Sequence, residues 1–361
     1  MPVSCDLFCR VVDNLGDAGV CWRLARQLAQ EYAWAVRLWI DDTAPLAGLR
    51  PGISPAQVIQ VVDGVEIRRW PEPFPDMRPS DVVIEAFACE LPRGFVLAMA
   101  AQSRTPVWIN LEYLSAETWV SGCHGLPSPH PTLPLVKHFF FPGFAPGTGG
   151  LIRERDTPVS GFHPQCTELS VSLFCYENPA LPELLALWAE GDEPVSCQVA
   201  DGLPREQVAR WLGRAFPVGS RIDHGSLKLV AAPFVPQPDF DARLAAGDLN
   251  FVRGEDSFVR AQWVARPFVW QAYPQDEAAQ FGKLDAFLDR YLRGLGDDRN
   301  ATEAVRAFWY AWNGRGDVAA TWPAFRRVLP QLTSYGKAWA EEISAPGNLA
   351  QNLVRFCRER L

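Results

Sequence analysis

The stretch Val3-Ser4-Cys5-Asp6-Leu7-Phe8-Cys9-Arg10-Val11-Val12, followed by Asp13-Asn14-Leu15-Gly16-Asp17-Ala18-Gly19, decides the fold. Its first part is a continuous β-prone run and predicts a strand over 3–12. The Asp- and Gly-containing part reads as a turn, whose glycines permit positive φ and close approach of a ligand to the backbone. From 20 to about 31, Val20, Leu24, Gln27 and Leu28 recur at helical spacing, so a helix follows. Strand, glycine-containing turn and helix open a βαβ unit.

Working outward, short apolar runs recur at 36–40, 81–87, 107–111 and 138–141, separated by turn clusters or helical stretches. Alternation of this kind predicts a parallel sheet with helices on both faces. Over 143–164 the pattern breaks into Gly, Pro and charged residues, which read as an inter-domain linker. A second α/β series then predicts strands at 169–176, 195–199, 226–231, 250–253 and 267–271. Its helices are expected at 182–189, 205–213, 240–246, 256–265 and 276–292, with tail helices at 301–312, 335–342 and 348–360. The expected fold is therefore α/β of the GT-B type, two Rossmann-like domains facing across a cleft. The domains are expected at 1–160 and 165–340, with a C-terminal helix at about 345–361 packing back on the first. Ligands in open α/β sheets bind beyond the carboxyl ends of strands, but architecture alone names no reaction.

A chain of 361 residues exceeds what one core usually supports. Its 48% hydrophobic content and 14 tryptophans are enough to offset ordering entropy, which excludes a disordered chain. The net charge of −8 comes with no Lys/Arg block, which argues against a nucleic-acid partner. No apolar run is long enough to span a bilayer, so no membrane association is expected. The N-terminus lacks the basic and apolar regions of a signal peptide. Nine scattered cysteines suit reduced thiols, with Cys5 and Cys9 on one core-facing strand face, and together these features predict a cytoplasmic protein.

Three constellations could carry chemistry. The first is Asp13 with Asp17: a carboxylate after the first strand projects beside the next helix's N-terminus, although Asp is also a preferred helix cap. The spacing is not G-x-G-x-x-G, so a dinucleotide fingerprint fits poorly. The second is Phe251-Val252-Arg253-Gly254-Glu255-Asp256-Ser257-Phe258 at a strand-to-helix junction. Arg253 offers a fork for phosphate oxygens, the N–H groups around Asp256 and Ser257 favour anions, and Glu255 could grip a sugar hydroxyl. The same run also reads as a capped helix start with Arg and Glu paired at the surface. The third is aromatic: Phe174 and Tyr176 on one strand face, and Phe240 in Gln237-Pro238-Asp239-Phe240. A base could stack there while Gln237 reads its polar edge, and such aromatics equally serve as core. His124, His130, His138 and His163 lack zinc-like spacing, so no metal is expected. Neither a G-x-S-x-G elbow nor a Walker loop is present.

The run from Asp13 through Asp17, Val20-Cys21-Trp22-Arg23-Leu24-Ala25, resembles the opening signature of the EarP family. So does Phe251 to Ser257, followed by Pro267-Phe268-Val269-Trp270-Gln271-Ala272-Tyr273-Pro274-Gln275, and the resemblance extends over nearly the whole chain. It implies an inverting GT-B glycosyltransferase that moves rhamnose from dTDP-β-L-rhamnose to an arginine of elongation factor P. It further implies that the second domain holds the nucleotide. Phe174 and Phe240 would sandwich the thymine with Tyr176 and Gln237 beside it, while Arg253, Asp256 and Ser257 hold the ribose and diphosphate. Asp13, Asp17 and Glu255 match three acids the family needs for activity, Asp17 as the catalytic base. No cofactor is implied, and the leaving diphosphate can be met by Arg253 and helix N–H groups without a metal. One departure is Gln271-Ala272-Tyr273 in place of His-Ile-Tyr, which leaves the contact of Gln271 open. Other readings are a nucleotide-sugar transferase with a lipid or glycan acceptor, a pyruvyl transferase, and a non-catalytic dTDP-binding protein.

Overall fold

The computed structural model describes residues 2–13, 15–157, 168–274, 280–296 and 298–361. The chain divides into two units, Met1–Asp156 with Ile343–Leu361, and Thr157–Glu342.

The first unit is built on strands β1 (Ser4–Cys9), β2 (Ala35–Ile40), β3 (Ile59–Val62), β4 (Val65–Arg69), β5 (Val82–Ala86), β6 (Val107–Leu111), β7 (Pro127–Pro129) and β8 (Val136–Phe140). They lie in the order β3-β4-β2-β1-β5-β6-β8-β7. The six inner strands run parallel, and β3 and β7 close the edges antiparallel. Helices α1 (Leu15–Tyr32), α2 (Ala44–Leu49), α3 (Arg93–Ala100) and α4 (Val120–Cys123) connect them. An aromatic core forms where Phe8 of β1 packs on Trp39, Trp70, Phe74 and Phe95. Asp6, on the same strand, is fully buried. Its carboxylate accepts two bonds of 2.7 Å from Arg37, one from Trp39 Nε1 and one from Ser80 N, so the buried charge is both paired and hydrogen-bonded.

The second unit holds β9 (Leu169–Leu173), β10 (Val195–Val199), β11 (Arg221–His224), β12 (Leu227–Ala231), β13 (Leu249–Arg253) and β14 (Phe268–Gln271). The order is β11-β12-β10-β9-β13-β14, parallel except for the β11 edge. Its helices are α5 (Leu181–Glu190), α6 (Leu203–Leu212), α7 (Gln237–Ala246), α8 (Asp256–Trp263), α9 (Gln280–Tyr291), α10 (Arg299–Trp312) and α11 (Val318–Ser344). Phe258, Phe268, Trp270, Phe287, Tyr291 and Trp309 interlock as its aromatic core. The last helix, α12 (Leu349–Arg358), belongs to the first unit and packs on α1.

In both sheets the first strand lies in the middle, its chain successor on one side and a later strand on the other. The winding therefore reverses between β1 and β5, and again between β9 and β13. Such switch points open a crevice at the carboxyl ends of the strands. The first two sequence constellations fall on them.

The expected strands at 107–111 and 195–199 are those observed, and most of the others agree within a residue or two. The differences have physical causes. The strand expected over 3–12 stops at Cys9, and that over 169–176 stops at Leu173. Helix α1 starts at Leu15 rather than at 20, because Gly16 and Gly19 lie inside it and neither has a positive φ. The reading of those glycines as positive-φ turn residues is corrected accordingly. The hairpin β3–β4 was not expected, although Asp63-Gly64 at its turn, both at positive φ, is a strong hairpin signal. The helix expected at 335–342 starts at Val318 and contains Pro323 and Pro330. Val318, Trp322, Phe325, Leu329, Leu332 and Trp339 form one buried stripe, and that burial outweighs the lost backbone bonds. The expected linker falls partly, and the start of the 276–292 helix falls wholly, outside the described residues, as does His163.

Candidate functional site

At the first switch point the chain leaves β1 through Arg10–Asp13 and enters α1. Asp17 is in the first turn of that helix and only 3% exposed. Its Oδ2 accepts from Val12 N at 2.9 Å and from Asp13 N at 2.8 Å, so the carboxylate reaches back and fixes the turn before the helix. An acid in the first turn of the helix thus satisfies two amides of the segment that leads into it. Asp13 is half-buried, and a Cβ built on Gly16 would lie 2.5 Å from its Oδ2. Glycine is needed at 16 for that approach, not for its φ.

Beside β1, the turn after β5 carries three non-glycine residues at positive φ within four positions: Phe87, Ala88 and Glu90. An aromatic there is a true outlier, held in place by its surroundings. Phe87 N donates to Leu111 O at 2.7 Å, Glu90 N to the buried carboxylate of Glu85 at 3.2 Å, and Cys89 Sγ to Phe8 O at 3.6 Å. The Phe87 ring stacks on Tyr113, which follows β6, with centroids 4.4 Å apart and planes 13° apart. Between β6 and Tyr113 lies Glu112, whose carboxyl is pushed up from its ordinary range by burial, against the pull of the Asn110 amide and the Lys137 charge. The aromatic pair and Glu112 escaped the sequence reading. A positive φ on Phe87 leaves no signal in composition or spacing.

At the second switch point Phe174 and Tyr176 follow β9, and Arg253 ends β13. The Arg253 guanidinium carbon lies 4.5 Å from the Phe174 ring centroid and 4.2 Å from that of Tyr176. Gly254 has a φ of +59°, which turns the chain into α8. Gln237 Nε2, in the first turn of α7, donates to Asp256 Oδ2 at 3.1 Å, so two residues expected at the site meet directly. Glu255 precedes α8 and makes no side-chain cap. Ser257 Oγ donates to Arg253 O at 2.6 Å and accepts from Arg253 N at 3.0 Å. That hydroxyl secures the β13–α8 turn, and what Ser257 offers an anion is its backbone N–H. Phe240 meets Phe174 edge to face, with centroids 5.4 Å apart and planes at 68°. A base between parallel rings needs them roughly 7 Å apart, twice the contact distance, so a thymine sandwich requires one ring to turn and the two to move apart. Tyr273, 44% exposed and not singled out from the sequence, packs edge-on against Tyr176 at 5.4 Å.

Among the described residues no group of three or more His, Cys, Asp or Glu side chains is placed to hold a metal ion. No helix among them is long and apolar enough to cross a membrane.

The two parallel-rich sheets with their helices give the chain the two-domain GT-B fold found among glycosyltransferases. The calicheamicin glycosyltransferase CalG4 shares the fold, with a TM-score of 0.56 over 100% of this chain and 99% of that one at 13% identity. The family model for the elongation factor P (EF-P) rhamnosyltransferase EarP matches residues 5–358, and the chain belongs to that family. A protein-arginine rhamnosyltransferase of Pseudomonas putida is 44% identical, covering 100% of both chains. A solved structure described as the structural basis for EarP-mediated arginine glycosylation of EF-P has a TM-score of 0.68 and 31% identity. The match spans 99% of this chain and 100% of that one.

Proposed function

We propose that this enzyme transfers rhamnose, with inversion, from dTDP-β-L-rhamnose to an arginine side chain of EF-P, without a metal. The supporting observation is the opposite chemistry of the two switch points. The second offers a cation and a helix N-terminus beside aromatic rings, which suits a nucleoside diphosphate. The first offers two acids and an aromatic pair, which suits a guanidinium.

A free guanidinium has a pKa above roughly 12 and is a poor nucleophile until its charge is drawn away from the attacking nitrogen. Asp13 and Asp17 bind the cation, and Asp17 accepts its proton as the C–N bond forms on the face of the sugar opposite the nucleotide. The bond from the anomeric carbon to the diphosphate oxygen breaks in the same step. Arg253 and the α8 N–H groups receive the charge that develops on that oxygen. Glu255, beside them in sequence, holds the sugar. Positioning of the guanidinium contributes as much as basicity, because a group held in line avoids the entropy of encounter.

The deciding experiment incubates the purified protein with EF-P and dTDP-rhamnose, with and without EDTA. We expect a mass gain of one deoxyhexose on EF-P, mapped to an arginine, with an α-anomeric signal by NMR and no effect of EDTA. No mass gain would reject the acceptor or donor assignment, a β-linked product would reject inversion, and loss in EDTA restored by magnesium would reject metal independence.

A further inference from the structure

Past Phe174, whose N–H donates to Phe251 O at 3.1 Å, the chain has left the ladder of β9. The next turn carries Tyr176, the ring on which Arg253 rests. Two buried glutamine amides take over the role of neighbouring strands there. Gln271, the last residue of β14 and 5% exposed, accepts from Tyr176 N through Oε1 at 2.8 Å and donates from Nε2 to Glu177 O at 3.2 Å. Gln207, on α6 and 4% exposed, donates from Nε2 to Tyr176 O at 3.0 Å and accepts from Asn178 N through Oε1 at 2.7 Å. Four backbone groups in three residues are thus satisfied by two side chains, one through each amide nitrogen and one through each amide oxygen, while Gln207 Nε2 also donates to Leu203 O at 3.2 Å. Asn178 completes the frame by donating from Nδ2 to Trp312 O at 3.0 Å.

We propose that Gln207 and Gln271 are positioning residues for the donor nucleotide. They fix the Tyr176 turn so that the aromatic wall and Arg253 stand ready before the nucleotide arrives. This rests on the reading that the second unit binds dTDP. A buried amide must satisfy its polar ends whatever its role; what points to positioning is that both side chains spend bonds on the one turn that carries Tyr176, the ring against which Arg253 lies. A site whose supports are locked in this way avoids an ordering cost on binding. Loosening the turn moves Tyr176 and the guanidinium stacked on it together. Gln271 is thereby a support of the site rather than a contact of the ligand, which answers the question its departure from the family pattern raised. Charged groups beside it among the described residues include Arg253, its neighbour across the β13–β14 ladder, and Glu177, which is paired with Arg210.

The test compares calorimetric dTDP affinity of the wild type, Gln271→Asn and Gln271→Glu at pH 5.5 and pH 8.5, with thermal unfolding as a folding control. Because dTDP itself titrates, the quantity read is the ratio of variant to wild-type Kd at each pH. Asparagine is one methylene short and loses both bonds, so its ratio should be about tenfold at either pH. Glutamate keeps the length. Burial at this 5% exposed position raises the carboxyl into the window between the two pH values, against the pull of Arg253. Protonated, it can still donate to Glu177 O, and ionised it cannot, so its ratio should rise from near one at pH 5.5 to about tenfold at pH 8.5. That pH dependence is one a general loss of stability would not produce. A Gln271→Asn ratio within twofold of one at both pH values overturns the inference while leaving the donor site intact. Absence of dTDP binding by the wild type overturns the donor reading itself, and this inference with it.

Discussion

Gly16 shows how one residue can set the position of another. It lies in α1 with no unusual φ, yet a methyl group at its Cα would sit 2.5 Å from Asp13 Oδ2. Alanine is better than glycine in a helix by up to about 1 kcal/mol, and the displaced group is the tip of a side chain. We therefore expect Gly16→Ala to hold or raise the thermal midpoint while turnover falls by roughly 10²-fold, the lower range for a displaced catalytic group. Wild-type turnover in a fully folded Gly16→Ala protein would mean that the placement of Asp13 carries no chemistry. The residues themselves were legible: two acids and two glycines after a strand are an unusual run. Their division of labour was not. That Asp17 grips the turn while Gly16 makes room for Asp13 depends on where the helix starts, and a glycine pair hides that start.

Among the elements, those with one strong local signal were legible and those decided by packing were not. The parallel strands read as apolar runs because both faces are covered. Helix α11 did not, since its two prolines outweigh, in a local reading, a buried stripe that only the neighbouring core makes worthwhile. The link between α7 and α8 was hidden for the same reason. Asp241 and Arg260 look like ordinary surface charges in sequence, yet they pair at 2.8 Å with side chains 4% and 2% exposed. Arg260 Nη2 also donates to Thr157 Oγ1 at 3.1 Å. The pair joins the helix that carries Gln237 and Phe240 to the one that begins at Asp256. Removing one partner leaves a buried charge, so Asp241→Ala should cost about 3–5 kcal/mol. Replacing both, as Asp241→Leu with Arg260→Met, should restore most of it, because a packed apolar pair needs no desolvation. Urea midpoints of the three proteins settle the matter. A single-variant loss near 0.5 kcal/mol, ordinary for a surface site, would show that the pair is not buried in solution.

Across the full chain, two sheets share one winding while their switch points carry different groups. If the first serves the acceptor and the second the donor, the two functions must separate under mutation, and Asp17→Asn is the substitution that can show it cleanly. Both backbone donors converge on the single oxygen Oδ2 of Asp17. The amide oxygen of asparagine can take that place and keep both bonds, leaving only the other carboxylate oxygen exchanged for an NH2 group. The turn after β1 should therefore survive while the proton acceptor is lost. We expect turnover to fall by roughly 10²–10⁴-fold with dTDP affinity unchanged. Phe174→Ala, on the other sheet, should do the reverse at saturating donor: dTDP binding weakens by ~1–3 kcal/mol, the contribution of one stacked base, with a smaller change in the chemical step. Asp17→Ala separates the two roles of this carboxylate, since it loses the grip on Val12 and Asp13 as well and should add a stability loss that Asp17→Asn lacks. Single-turnover rates, calorimetric affinities and thermal midpoints of the four proteins read all of these outcomes. An Asp17→Asn enzyme within a few-fold of the wild-type rate would leave Asp17 as the clamp of the turn and pass the role of base to Asp13. A loss of dTDP affinity in Asp17→Asn would instead show that acceptor and donor functions are not divided between the two sheets.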